Sequence, residues 1–207
     1  MVSYSAIKDK LKIEVERESN IGVAHLTHYF HNHVNGVSQH YIEPATLYLK
    51  KISEDLNLVE EPQMLQLFPL QFDVPFPPQI NYDFTFIDLF AGIGGFRIPT
   101  QELNGKCVFT SEFNYHAQRA YEINFGEVPF GDITKLDLNI VPKHDILMAG
   151  FPCQPFSISG KMKGFEDTRG TLIYNVLKII ELREPKVVLL ENVKHLVYHD
   201  NKRTLTT

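Results

Sequence analysis

From residue 84 onward, short apolar runs alternate with longer stretches that carry apolar residues every three or four positions. Residues 84–90 form one such run, broken only by Thr85 and Asp88, and residues 106–110, 145–149 and 187–190 form others. Runs this short and this continuously apolar predict strands buried on both faces. Between them, residues 94–103, 113–125 and 171–182 read as helices. The last presents Leu172, Ile173, Val176, Leu177, Ile179 and Ile180 as its apolar set. Pro99 must sit in the first turns of its helix or kink it. Strands that alternate with helices predict an α/β fold, a doubly wound and mostly parallel sheet. Such sheets bind ligands beyond the carboxyl ends of their strands.

The first 60 residues are different. Residues 6–18, 21–30 and 45–58 are helical candidates with many charges among their apolar positions, and no strand alternation interrupts them. We read residues 1–60 as a helical N-terminal extension packed on the main domain. A helix-turn-helix module is the alternative, although no candidate is rich in Arg, Lys, Asn or Gln. Residues 61–83 contain Pro62, Pro69, Pro75, Pro77 and Pro78, a density that marks a linker or extended arm.

Composition narrows the class. The chain has 207 residues, 43% hydrophobic and 22% charged, as in an ordinary globular protein. It lacks both a signal-peptide layout at its start and an apolar stretch long enough for a membrane helix. Two cysteines, Cys107 and Cys153, exclude a disulfide scaffold and favour a reducing cytoplasm. Nine scattered histidines show no metal spacing. The net charge of −5 argues against a self-sufficient nucleic-acid binder. Cationic residues gather only locally, at Lys161, Lys163, Arg169, Lys194, Lys202 and Arg203.

The candidate chemistry lies where strands end. The first strand runs into Phe90-Ala91-Gly92-Ile93-Gly94-Gly95, whose glycines allow a tight turn and close approach of backbone to a ligand. Glu112 stands 20 positions after Gly92, directly after the second strand, where an acid can accept hydrogen bonds from ribose hydroxyls. Phe113 can lie against an adenine ring, and Asp132, followed by Ile133, offers a carboxylate to an adenine amino group. The glycines are too closely spaced for the dinucleotide fingerprint and suit a single nucleoside better. After the third strand comes Gly150-Phe151-Pro152-Cys153-Gln154-Pro155-Phe156-Ser157. Glu191-Asn192-Val193 follows the cysteine by 38 positions, at the end of the next strand. Cys153 is a candidate nucleophile and Glu191 its acid partner. Cys107, inside a strand, is read as core packing.

These segments together resemble the cytosine-5 DNA methyltransferases. The resemblance is carried by residues 86–95, Gly131-Asp132-Ile133, residues 150–157, the loop 159–170 and Glu191-Asn192-Val193, in the family's order. The loop matches the bacterial restriction-modification type. The resemblance covers rather more than half of the chain and leaves residues 1–80 outside. It implies a Rossmann-like S-adenosylmethionine-dependent methyltransferase fold, here incomplete, with residues 84–207 as a partial catalytic domain. It implies S-adenosylmethionine as cofactor, held by Phe90, Ala91, Gly92, Ile93, Gly94, Gly95, Glu112, Phe113, Asp132, Ile133 and Pro152, and no metal. The substrate it implies is double-stranded DNA with a cytosine flipped out of the stack. Cys153 then adds to carbon 6 of the ring and Glu191 protonates it. Phe151, Gln154, Ser157, Lys161, Arg169 and Asn192 contact or position the substrate, with a loop that closes over DNA on glycine hinges.

The family's pattern continues beyond what is found here, with an arginine-containing strand motif, a DNA-reading region and a final helix completing the cofactor pocket. Asn35-Gly36 does not match the final glycine-asparagine motif, so a circular permutation is not expected. The chain alone is expected to bind DNA weakly and not to methylate it. It is read as one subunit of a split enzyme, with a second polypeptide carrying target recognition, as the product of a truncated gene, or as a partial sequence of a longer protein. Alternatives are a tRNA cytosine-5 methyltransferase, a non-catalytic DNA-binding or regulatory remnant, and a nucleotide-dependent oxidoreductase.

Overall fold

The structure is a computed structural model that describes residues 2–33, 40–56, 70–152 and 172–194. In chain order the elements are β1 (Val2–Ser3), α1 (Tyr4–Leu11), α2 (Ile21–His33), α3 (Ile42–Asp55), β2 (Leu70–Gln71), β3 (Phe84–Leu89), α4 (Arg97–Glu102), β4 (Gly105–Ser111), α5 (Tyr115–Phe125), β5 (Ile146–Gly150), α6 (Leu172–Arg183) and β6 (Val187–Glu191). The main sheet has four strands in the order β4-β3-β5-β6, all parallel. The chain passes from β3 to β4 on one side and then to β5 and β6 on the other. The switch point therefore falls at β3, where such sheets open a crevice at the carboxyl edge.

Helix ends follow local capping chemistry. α1 stops at Leu11, well short of residue 18, because Lys12 turns left-handed with φ 49°. The Ile13 amide then donates to the Lys8 carbonyl at 2.9 Å, closing the last turn. α4 begins at Arg97 rather than residue 94, since Gly94 lies at φ 97°. Pro99 falls in the first turn, where a helix has no use for its amide. α5 starts after Asn114, whose Oδ1 accepts from the amides of His116 at 2.9 Å and Ala117 at 3.1 Å. It ends at Gly126, φ 67°.

The N-terminal helices share the core of the sheet. α2 has nine buried residues among its thirteen, too many for a surface helix with one wet face. Ala24, Leu26 and Phe30 belong to the same buried cluster as Ile87, Phe109, Leu147 and Val176. Tyr41 donates its hydroxyl to the Val108 carbonyl at 2.7 Å. β1 and β2 form a short parallel pair that brings residue 70 to the N-terminus. Phe72 stacks on Tyr4, and Phe76 packs on Phe125. Cys107 is buried with Phe86 and Met148, as core packing requires. β6, at the sheet's edge, exposes every residue from Val187 to Glu191, an apolar strand of the kind usually covered on both faces. Among the described residues no helix is long and apolar enough to cross a membrane.

Candidate active site

β3 ends in a tight turn that needs unusual backbone angles. Phe90 and Gly92 both lie at φ 57° and Gly94 at φ 97°. A bulky residue such as Phe90 in the left-handed region costs energy and is found where surrounding contacts enforce it. Here the Ala91 amide donates to the Ser111 carbonyl at 3.1 Å, and the Gly94 amide to the Ala91 carbonyl at 2.9 Å. A side chain at Gly94 would meet the Phe125 ring at 2.3 Å, whereas one at Gly92, Gly95 or Gly131 would meet no atom within 4 Å. Those three glycines leave room over the backbone. Ile93 is exposed and Ala91 is buried.

Glu112 organises this turn. Its Oε2 accepts from the Gly92 amide at 2.8 Å and its Oε1 from the Asn114 amide at 2.7 Å. Each carboxylate oxygen keeps a further lone pair, so two ribose hydroxyls can still be accepted. Phe113 is 71% exposed. It lines a cleft of about 200 Å³ together with Gly131 and Asp132. Asp132 caps its own short turn, with Oδ1 accepting from the Thr134 amide at 3.0 Å. Ile133 packs into the core, so its side chain is not on the cleft surface. Asp88, two residues before Phe90, is fully buried, and both its carboxylate oxygens lack a hydrogen-bond partner. Burial drives its pKa up to about 8, against the pull of Arg97 and with help from Glu112 and Glu127. The free lone pairs, the open glycines and the exposed aromatic ring fit the nucleoside of S-adenosylmethionine.

The second half of the site lies at the ends of β5 and β6. Register pairs Gly150 with Glu191. A Cβ at Gly150 would lie 3.6 Å from Glu191 Oε2 and 3.5 Å from the Phe96 ring, ordinary contact distances that place the carboxylate, the strand end and the end of the β3 turn side by side. Asn192 donates from Nδ2 to the Phe151 carbonyl at 2.9 Å, and its Oδ1 accepts from the Val193 amide at 2.9 Å. The carboxamide thereby ties the two strand ends together, while the Phe151 side chain is buried and Pro152 is half-buried. Cys153, Gln154, Ser157, Lys161 and Arg169 lie outside the described residues.

One cluster has no counterpart in the sequence reading. Arg97 of α4 is fully buried and donates to Glu127 Oε1 at 2.7 Å and to the Tyr121 hydroxyl at 3.0 Å. Burial would raise the Glu127 pKa, but the adjacent guanidinium overrides this and brings it down to about 2. His28 and His31 of α2 close the cluster. His28 Nδ1 donates to the Ala24 carbonyl at 2.9 Å and its Nε2 accepts from the Thr110 amide at 3.1 Å, an arrangement only the neutral ring satisfies. Nε2 also lies 3.5 Å from Glu127 Oε1, but as an acceptor it carries no proton to share and the Thr110 hydroxyl donates to Glu127 in its place, so we read no ion pair there. The cluster is assembled from residues far apart in sequence and carries no local motif.

Comparison with known proteins agrees with this geometry. Residues 84–207 match the family model described as C-5 cytosine-specific DNA methylase. The chain is 53% identical over 161 residues to the type II methyltransferase M.HpaII of Haemophilus parainfluenzae, covering 77% of this chain and 44% of the relative. It is 56% identical over 120 residues to the type II methyltransferase M.HhaI of Haemophilus parahaemolyticus, covering 58% of this chain and 37% of the relative. A crystal structure from E. coli, described as a DNA modification methyltransferase encoded within a prophage, superposes with a TM-score of 0.51 at 22% identity. It covers 60% of this chain and 36% of that one, a likeness of fold. The chain thus spans less than half the length of these curated relatives.

Proposed function

The chain belongs to the C-5 cytosine-specific DNA methylase family, and from that premise we propose that it carries the methyl-transfer half of a type II DNA cytosine-5 methyltransferase, working in the cytoplasm within a restriction-modification system. The observation that carries this reading is the convergence at one sheet edge of a nucleoside cradle and a paired strand end. The cradle is the β3 turn with Glu112 and Phe113. The paired end is Gly150 beside Glu191, with Asn192 bridging.

S-adenosylmethionine supplies an electrophilic methyl group. The chain's residues do the rest. Glu112 and Asp132 hold the nucleoside through its hydroxyls and amino group, and Phe113 covers the base. The Cys153 thiolate adds to carbon 6 of a flipped cytosine, making carbon 5 nucleophilic. Glu191 donates a proton to ring nitrogen 3, which offsets the charge of the adduct. After carbon 5 takes the methyl group, loss of its proton to water expels the thiolate, and ring nitrogen 3 returns its proton to Glu191 as the aromatic ring is restored. Gln154, Ser157, Lys161 and Arg169 contact the DNA, and Asn192 keeps the two strand ends in register. We place the reading of a DNA sequence on a further segment, whether of a second polypeptide or of a longer chain, and the exposed apolar strand β6 is suited to be covered by it.

Equilibrium dialysis of the full chain against radiolabelled S-adenosylmethionine tests the cofactor half. Saturable binding is expected, weakened about tenfold to a hundredfold in Glu112→Gln, because a charged acceptor of ribose hydroxyls is lost. Absence of binding at millimolar cofactor, or a Glu112→Gln variant that binds undiminished, would overturn the proposal.

A further inference from the structure

The loop between α1 and α2 reaches the nucleoside end of this site. Arg17, Ser19 and Ile21 line the same cleft of about 200 Å³ as Phe113, Gly131 and Asp132. The loop is fastened to residues of the cleft itself. Asn20 is buried. Its Oδ1 accepts from the Glu16 amide at 2.7 Å, and its Nδ2 donates to the Glu16 carbonyl at 3.0 Å and to Gln118 Oε1 at 2.7 Å. Gln118, also buried, donates in turn to the Glu112 carbonyl. The Arg17 guanidinium lies 4.6 Å from the centroid of the Tyr115 ring, which is another wall of the cleft. The residue carrying the ribose acceptor is therefore anchored through one glutamine to the N-terminal extension.

We infer that residues 17–21 form one wall of the purine pocket of the S-adenosylmethionine site. The extension then belongs to the binding site instead of being an appendage to it. Ile21 and Phe113 are exposed apolar side chains from distant parts of the sequence, and both face the one cleft. A purine entering it takes both from water, and its exocyclic amine finds Asp132, while the glycine turn and Glu112 hold the ribose and the arm beyond. A cleft of about 200 Å³ suits a base and not a whole cofactor, in keeping with that division. This inference rests on the reading of the preceding subsection.

The test is calorimetric titration of S-adenosylhomocysteine into the full chain and three variants. Ile21→Ala is expected to weaken binding roughly tenfold, the loss of most of one apolar contact. Ser19→Trp, which fills the cleft from an exposed position, is expected to abolish it. Both should melt as the unaltered chain does without ligand. Amide exchange should also slow across residues 17–21 on saturation with S-adenosylhomocysteine in the unaltered protein. If both variants bind normally while Glu112→Gln is weakened, the pocket wall is refuted and the methyltransferase reading stands. If the unaltered chain fails to bind, both fall together.

Discussion

His28 and His31 allow the joint between the N-terminal helices and the sheet to be tested by pH. Both are buried, and burial is the main cause that brings their pKa values down, to about 4 for His28 and about 3 for His31. The ordinary value is 6.5, which the unfolded chain adopts. As pH falls below that value the unfolded chain takes up protons that the folded chain refuses. The stabilisation is therefore fully present above about pH 7 and is lost progressively as pH falls toward 4 and 3. Each histidine contributes up to 1.36 kcal/mol per pH unit, so His28 alone accounts for on the order of 3 kcal/mol across its window. Protonation also forces a ring nitrogen that accepts from the Thr110 amide to become a donor facing a donor. Urea unfolding at pH 8, 7, 6 and 5 reads this directly. The free energy should fall steeply between pH 7 and 5, and His28→Gln should flatten that slope by about one proton. A free energy that is level over this range, or an NMR titration of His28 near 6.5, would refute the neutral buried ring and the anchoring drawn from it.

Two substitutions near the β3 turn have opposite expected signs. Gly94→Ala should destabilise by about 2–4 kcal/mol in urea unfolding, since the new methyl group meets Phe125 and the residue sits at φ 97°. Asp88→Asn should stabilise. A buried acid whose pKa is raised to about 8 holds its proton in the folded state, so its cost grows as pH rises from the unfolded value toward 8. Removing the acid should gain on the order of 5 kcal/mol at pH 8 and little at pH 4, as read by thermal melts at the two pH values.

The main sheet could be read from the pattern of the chain. The four strands of the main sheet differ from the apolar runs by a single residue at their ends, because a short run of consecutive apolar residues leaves little else to read, although β6 is exposed along its length. Glu112 stands 20 positions from Gly92 in the sequence, and in the fold the two are hydrogen-bonded. What escaped is long-range and polar. Arg97, Glu127, His28 and His31 are charged or titratable types that ordinarily face water, and only folding shows Arg97 and Glu127 paired inside with the two uncharged rings beside them. The early end of α1 depends on one left-handed lysine, a choice that propensity does not signal. The joining of the extension to the nucleoside cleft depends on Asn20 meeting Gln118 across 98 positions of sequence.

The most direct measurement is the identity of the methylated nucleoside. The chain would be combined with the part of its M.HpaII relative that it does not cover, and nucleosides from treated duplex DNA analysed by mass spectrometry. 5-Methylcytosine is expected with the unaltered chain, none with Cys153→Ser, and about a hundredfold less with Glu191→Gln. Methylation of adenine or of the cytosine amino group, or undiminished 5-methylcytosine from Cys153→Ser, would contradict the proposed chemistry.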